Sequence, residues 1–175
     1  MSARRHENVA LVGFMGSGKS SVGRLIARTL GGRFVDTDKI VIGRAGQEIT
    51  DIFAERGELW FRQEETRALR SLLGSSGIVA ATGGGIVTVT ANRPLLKQLG
   101  LVVWLTADEE TIWERVSRNK KRPLLHTGNP RETVRTLLAQ RNPLYEAVAD
   151  MQIDTSALTH AEVAERICKR LNRAM

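Results

Sequence analysis

The stretch that most constrains this chain is "NVALVGFMGSGKSS", Asn8 to Ser21. An apolar run of strand character ends in glycines at Gly13, Gly16 and Gly18, followed at once by Lys19, Ser20 and Ser21. Apolar residues then recur at Val22, Leu25, Ile26 and Leu30, a helical period. A strand, a glycine-rich turn and a helix are thus joined without a linker. Gly13, Gly18, Lys19 and Ser20 fit the spacing G-x-x-x-x-G-K-[ST]. Glycines let backbone N–H groups turn inward with no Cβ in the way. Those groups and the N-terminus of the next helix attract phosphate oxygens. The loop therefore reads as a cradle for the phosphates of ATP or GTP. Lys19 would reach the β and γ phosphates, and Ser20 would ligate Mg²⁺.

The rest of the chain repeats the alternation. A short strand in "GGRFVDTD" ends near Asp36, and helical patterns cover Asp38 to Ala45, Thr50 to Arg56 and Glu58 to Leu73. "GIVAATGGG" is a strand running into a glycine turn, Ala91 to Leu99 is helical, and "LVVWL" is a β-branched strand. Asp108 caps a helix reaching about Arg118. A polar loop, "NKKRPLLHTGNP", follows, then a helix over Pro130 to Ala149 that Pro143 is expected to break. "MQID" is the last strand, and Thr159 caps a final helix carrying Val163, Ile167 and Leu171. Short apolar strands alternating with helices define an α/β fold, with a parallel sheet covered on both faces. A length of 175 residues without repeats or linkers fits one domain over residues 1–175.

Composition narrows the setting. A net charge of +7 suits anionic ligands, nucleic acid or a membrane surface, but the arginines are spread along the chain and no nucleic-acid motif appears. No apolar run approaches the ~18 residues of a membrane span, and the basic start does not lead into a secretory apolar region. The lone Cys168 excludes an intrachain disulfide and reads as a small core residue. His6, His126 and His160 show no metal-ligand spacing. The expectation is a cytoplasmic protein without nucleic-acid or membrane partners.

Most such phosphate loops are served by an aspartate at the end of a later apolar strand. The strand Ile78 to Ala81 ends instead in "TGGG". Acidic residues stand at Asp36 and Asp38, and an extended segment would put both on one face. One would assist Mg²⁺ and the other would accept a hydrogen bond from a substrate hydroxyl; a helix cap is the alternative. Arg62 and Glu65 lie three apart on one helix and can pair, either at the surface or in a site. Gly83, Gly84 and Gly85 form either a turn or a place where a ligand meets backbone N–H groups.

In this order, the phosphate loop, "DTD", "FR..E", "GGG", "RPLL" and "R.PLY" resemble the shikimate kinases over roughly Val9 to Leu171. The resemblance implies a three-layer P-loop kinase fold of the nucleoside-monophosphate-kinase type: five parallel strands in order 2-3-1-4-5, flanked by helices, with a mobile lid over about 117–129 and substrate-binding helices over about 38–73. It implies transfer of the γ-phosphate of ATP to the 3-hydroxyl of shikimate, with Mg²⁺, in chorismate and aromatic amino-acid synthesis, by a chain that is usually monomeric. It makes Lys19, Asp38 and Arg122 catalytic. The nucleotide would be held by Gly16, Ser17, Gly18, Lys19, Ser20, Ser21, Arg115 (against adenine) and Arg122 (in the lid). Shikimate would be held by Asp38, Arg62, Gly83, Gly84, Gly85 and Arg141, and the metal by Ser20 and Asp36. Glu65 would fix the rotamer of Arg62. The physical chemistry agrees, since two planar guanidiniums suit a carboxylate and an aspartate suits a hydroxyl nucleophile. One departure stands at Thr159 and His160, where the family often has an asparagine-proline pair near adenine. A gluconate or nucleoside-monophosphate kinase would share the loop but would not call for the other motifs together.

Overall fold

The structure, a computed structural model, describes residues 8–118 and 125–173. Arg122 and the stretch 119–124 of the expected lid lie outside the described residues. Five strands form one sheet: β1 (Val9–Val12), β2 (Arg33–Asp36), β3 (Ile78–Ala81), β4 (Leu101–Thr106) and β5 (Met151–Asp154). Their order is β2-β3-β1-β4-β5 and every pairing is parallel, the order and direction expected. The helices are α1 (Lys19–Leu30), α2 (Thr37–Ala45), α3 (Ile49–Leu72), α4 (Asn92–Leu99), α5 (Glu109–Ser117), α6 (Pro130–Val148) and α7 (His160–Arg173), with a 3₁₀ turn at Ile86–Thr88.

The two-residue period of β1 divides its side chains between two cores. Ala10 and Val12 face a layer with Leu69 and Leu72 of α3, Leu96 and Leu99 of α4, and Tyr145 and Val148 of α6. Val9 and Leu11 face the opposite layer, with Val22 and Ile26 of α1 and Val163, Ile167 and Leu171 of α7. Buried on both faces, β1 has no polar side chain, as a central parallel strand requires. Cys168 is buried in the second core, as expected. Strands on either side of β1 are reached by crossovers in opposite directions, so a crevice opens beyond the carboxyl ends of the strands.

Two local expectations change. Pro143 does not break α6, which is continuous from Pro130 to Val148. The proline removes one hydrogen bond, to the Ala139 carbonyl, but Leu138, Arg141 and Tyr145 are buried on either side and hold the helix on course. Two helical stretches meet at Gly57 within α3, as expected, with Gly57 itself non-helical at φ 81° and marking the kink between them. The segment from Asp36 to Asp38 is not extended. Asp36 ends β2 and caps α2, while Asp38 lies in its first turn. Among the described residues, no helix is long and apolar enough to cross a membrane.

Candidate active site

The loop between β1 and α1 is shaped by its contacts. At Gly13 (φ 142°) a Cβ would stand 2.3 Å from the Leu105 carbonyl oxygen, so only glycine lets the loop leave β1 this close to β4. Gly18 (φ 92°) is the N-cap of α1, whose first turn has neither a side-chain cap nor an acidic residue. That leaves a helix N-terminus with its N–H groups and positive dipole end available to an anion. The Lys19 ammonium donates to the carbonyls of Gly13 and Phe14, both at 2.8 Å, and so lies across the loop. Phe14 and Met15 anchor the loop from beneath, packed among Ile112 and Val116 of α5 and Val134 and Leu138 of α6.

A cleft of about 360 Å³ opens above this loop. Gly16, Gly18, Lys19, Ser20 and Ser21 line one side, Asp36, Asp38, Gly83 and Gly84 another, and Arg115 and His160 a third. Ser17 does not line it: its Oγ is buried, and its N–H donates to the Phe14 carbonyl at 3.2 Å. Asp36 is a helix cap, the alternative that the sequence left open, and it also meets Ser20. One carboxylate oxygen accepts from the Asp38 N–H (3.0 Å), capping α2, and the other accepts from the Ser20 hydroxyl (3.0 Å). Ser20 and Asp36 thus bring two hard oxygen donors together on the cleft wall. Among the described residues no group of three or more His, Cys, Asp or Glu residues could hold a metal alone. A small donor set of this kind fits Mg²⁺, which keeps waters and takes phosphate oxygens.

Behind the glycine turn after β3 lies a buried charged cluster. Arg62 (8% exposed) donates to Glu65 at 2.6 Å and to Glu58 at 2.9 and 3.2 Å. Its guanidinium occupies the space above Gly85, where a Cβ would come within 2.2 Å of Cζ. A Cβ on Gly83 would stand 2.1 Å from Glu65 Oε1 and 2.8 Å from Asp38 Oδ1. Arg141 (4% exposed) reaches the same turn, with Nη1 at 3.6 Å from a Cβ on Gly84. Fully buried Tyr145, one helical turn beyond Arg141, donates its hydroxyl to the Gly84 carbonyl. The Gly83 N–H is held by the Thr37 hydroxyl at 3.2 Å.

Burial decides the protonation of this cluster. Desolvation pushes the Glu65 carboxyl up to about 7; Arg62 opposes this and Asp38 adds to it. For Arg62, burial pulls the guanidinium down, but Glu65 and Glu58 more than offset it and leave it raised. The two ends of one ion pair therefore disagree, since Arg62 gains its charge more easily and Glu65 less. Exposure explains it: Glu65 has no solvent contact, whereas Arg62 has a second, half-exposed carboxylate in Glu58. Arg141 is lowered by burial first and by Arg62, with Tyr145 opposing.

The structure thus gathers the sequence-predicted Asp38, Arg62, Arg141, Gly83, Gly84 and Gly85 around one turn, with Lys19 and Ser20 lining the same cleft and Asp36 bonded to both Ser20 and Asp38. Arg115 lines the cleft as its guanidinium donates to the Gly16 carbonyl (3.1 Å) and to Thr155 Oγ1 and O (3.1 and 3.0 Å). Sequence reasoning assigned no role to Tyr145, although it lies one helical turn from Arg141. It also gave His160 none, yet the imidazole would meet a Cβ on Gly18 at 3.2 Å. No periodicity or spacing signals either contact.

A glycine-lysine-serine loop at the end of the central strand of a 2-3-1-4-5 parallel sheet is how P-loop kinases are built, and this chain is one of that class. The family profile described as "Shikimate kinase" matches residues 15–172. A shikimate kinase of Geobacter sulfurreducens is 49% identical over 160 residues, covering 91% of this chain and 88% of that protein. One from Thermodesulfovibrio yellowstonii is 44% identical, covering 95% and 96%. Among solved structures, a shikimate kinase from Acinetobacter baumannii in complex with shikimate superposes with a TM-score of 0.92 at 40% identity, covering 96% of this chain and 94% of that one. The chain belongs to the shikimate kinase family.

Proposed function

We propose that this chain transfers the γ-phosphoryl group of ATP to the 3-hydroxyl of shikimate, giving shikimate 3-phosphate and ADP. The observation that carries the acceptor side is Asp38, which lines the cleft opposite the phosphate loop while its carboxylate lies at Gly83 beside the Arg62–Glu65 pair. In this reading the substrate carboxylate pairs with the guanidiniums of Arg62 and Arg141, whose planar donors suit it. Gly83, Gly84 and Gly85 let it approach the backbone. Its hydroxyl then meets Asp38, which orients it and accepts its proton. Glu65 and Glu58 fix the Arg62 rotamer.

On the nucleotide side, Gly16, Gly18, Lys19, Ser20 and Ser21 hold the phosphates, Ser17 shapes the loop from within, and Arg115 flanks the base. Ser20 and Asp36 would hold Mg²⁺, which would supply charge neutralisation to the nucleotide phosphates. Phosphoryl transfer needs positioning and charge neutralisation more than covalent help. Lys19 supplies both, and Arg122 is assigned the same task from the lid. Domain span 1–175, a monomeric state and a cytoplasmic location belong to the same proposal; the lone, buried Cys168 fits a reducing compartment.

The test is ADP release from ATP and Mg²⁺ with and without shikimate, with Asp38→Asn beside the wild type. Shikimate-dependent ADP formation that falls by at least ~10²-fold in the variant, with ATP affinity kept, is expected. ADP formation stimulated by gluconate or a nucleoside monophosphate, and not by shikimate, would overturn the reading.

A further inference from the structure

Thr155 follows directly on β5 and is buried, at 1% exposed. It does not line the cleft, yet its hydroxyl holds a side chain that does. Arg115 Nη1 donates to Thr155 Oγ1 and to the Gly16 carbonyl, both at 3.1 Å, while Nη2 donates to the Thr155 carbonyl at 3.0 Å. One guanidinium from α5 thus ties the phosphate loop to the end of β5. All its acceptors are neutral, and among the described residues no carboxylate forms a salt bridge with Arg115. Its charge is left for an anionic ligand.

The direction of the Thr155 hydroxyl follows from its surroundings. A hydroxyl has one proton to give and two lone pairs. The Thr106 carbonyl at 2.9 Å takes that proton in preference to the Ser17 carbonyl at 3.5 Å. A lone pair is then left for Arg115, and burial keeps water from standing in for either partner. The sheet does not need this hydroxyl. The Thr155 N–H itself donates to the Thr106 carbonyl at 2.8 Å and continues the pairing of β4 with β5. What the hydroxyl adds is the orientation of Arg115. An unanchored arginine has rotamer freedom to lose when it meets a ligand, whereas an anchored one has lost it already.

We infer that Thr155 is a positioning residue for the nucleotide and acts through Arg115. The inference rests on the reading above, in which Arg115 flanks the base. The Thr155 hydroxyl fixes the plane of the guanidinium that the base meets. The same guanidinium holds the carbonyl of Gly16, whose φ of 80° is open to glycine and gives the loop freedom to turn there. Without the hydroxyl, Arg115 keeps the carbonyls of Gly16 and Thr155 but loses the partner that sets its tilt between them. Arg62 is held by Glu58 and Glu65, on another helix, and shares no acceptor with Arg115. The loss therefore falls on ATP and spares shikimate.

Steady-state kinetics of Thr155→Val with each substrate varied decide it. Valine keeps the β-branched shape and removes the hydroxyl. The KM for ATP is expected to rise about 5- to 20-fold, the scale of one bond to a charged group. The KM for shikimate should stay within about twofold. Thr155→Ser returns the hydroxyl and should bring the ATP KM back to within about threefold of wild type. In an Arg115→Ala background Thr155→Val should add less than about twofold, because the group it positions is gone. The inference is overturned by a folded Thr155→Val protein with the wild-type ATP KM, by equal rises in both KM values, by a Thr155→Ser protein no better than Thr155→Val, or by full additivity with Arg115→Ala. Thr155→Ala supplies the same comparisons should the valine variant fail to fold. An ATP KM that Arg115→Ala leaves unchanged would overturn the reading of Arg115 as a nucleotide contact, and this inference with it.

Discussion

Gly85→Ala tests the acceptor pocket with a single methyl group. Gly85 has φ −94° and ψ 2°, a conformation that alanine tolerates, so the backbone need not object. The side chain must. Its Cβ would come within 2.2 to 2.3 Å of three atoms of the Arg62 guanidinium, against 3.4 Å or more for ordinary contact. The guanidinium has to retreat by about 1 Å, and misplacement on that scale reduces reaction by roughly 10²-fold. Retreat is resisted by the charged hydrogen bonds to Glu58 and Glu65, each contributing ~1.5–3 kcal/mol. We therefore expect the KM for shikimate to rise about 30- to 100-fold, the KM for ATP to stay within about threefold, and stability to fall by ~1–3 kcal/mol from overpacking. Gly43→Ala, where a Cβ meets nothing within 4 Å, is the matched control. Steady-state kinetics with each substrate varied, beside a thermal melt, give the answer. A folded Gly85→Ala protein with a shikimate KM within about threefold of wild type would show that Arg62 does not hold the substrate where the structure puts it.

Three further outcomes follow from the same geometry. Arg141→Ala should raise the shikimate KM by at least ~10-fold with a smaller effect on kcat, as checked by initial rates; loss of a charge-assisted pair sets the scale. Asp36→Asn retains the cap on α2, so its melting temperature should hold while the Mg²⁺ concentration for half-maximal rate rises, and chelation should abolish turnover in both proteins. Glu65 titrates higher in the folded chain than its ordinary value of 4.5, so its favourable contribution to stability is complete below about pH 4.5 and is lost as pH rises to about 7. Denaturant melts should show wild type losing stability relative to Glu65→Gln across that window.

Much of the site was legible because its chemistry is written in contiguous residues. Gly13 to Ser20 reads as a phosphate cradle from spacing alone, and the alternation of apolar runs with helical periods leads to a parallel sheet. Asp36 and Asp38 were legible as acidic groups, but their division of labour was not: whether a carboxylate caps a helix or meets Ser20 depends on where β2 ends, and here Asp36 does both. The break expected at Pro143 failed because a proline's local penalty is outweighed when both flanks of the helix are buried. Arg62 and Glu65 could be paired by their spacing, yet the same spacing fits a solvated surface pair of little consequence.

The sequence by itself determined the phosphate loop and the α/β class, because both arise from neighbours in the chain: glycines that free backbone N–H groups, a lysine and a serine at fixed offsets, and apolar residues at strand and helix periods. Tertiary structure alone decided that Arg62 lies on Gly85, that Glu65 is sealed against Gly83 and Asp38, that Tyr145 holds Gly84, and that His160 reaches Gly18. Those facts depend on burial and on the field of distant charges. Both are set by which helices close over the ends of the strands, a property of packing that no local stretch of sequence contains.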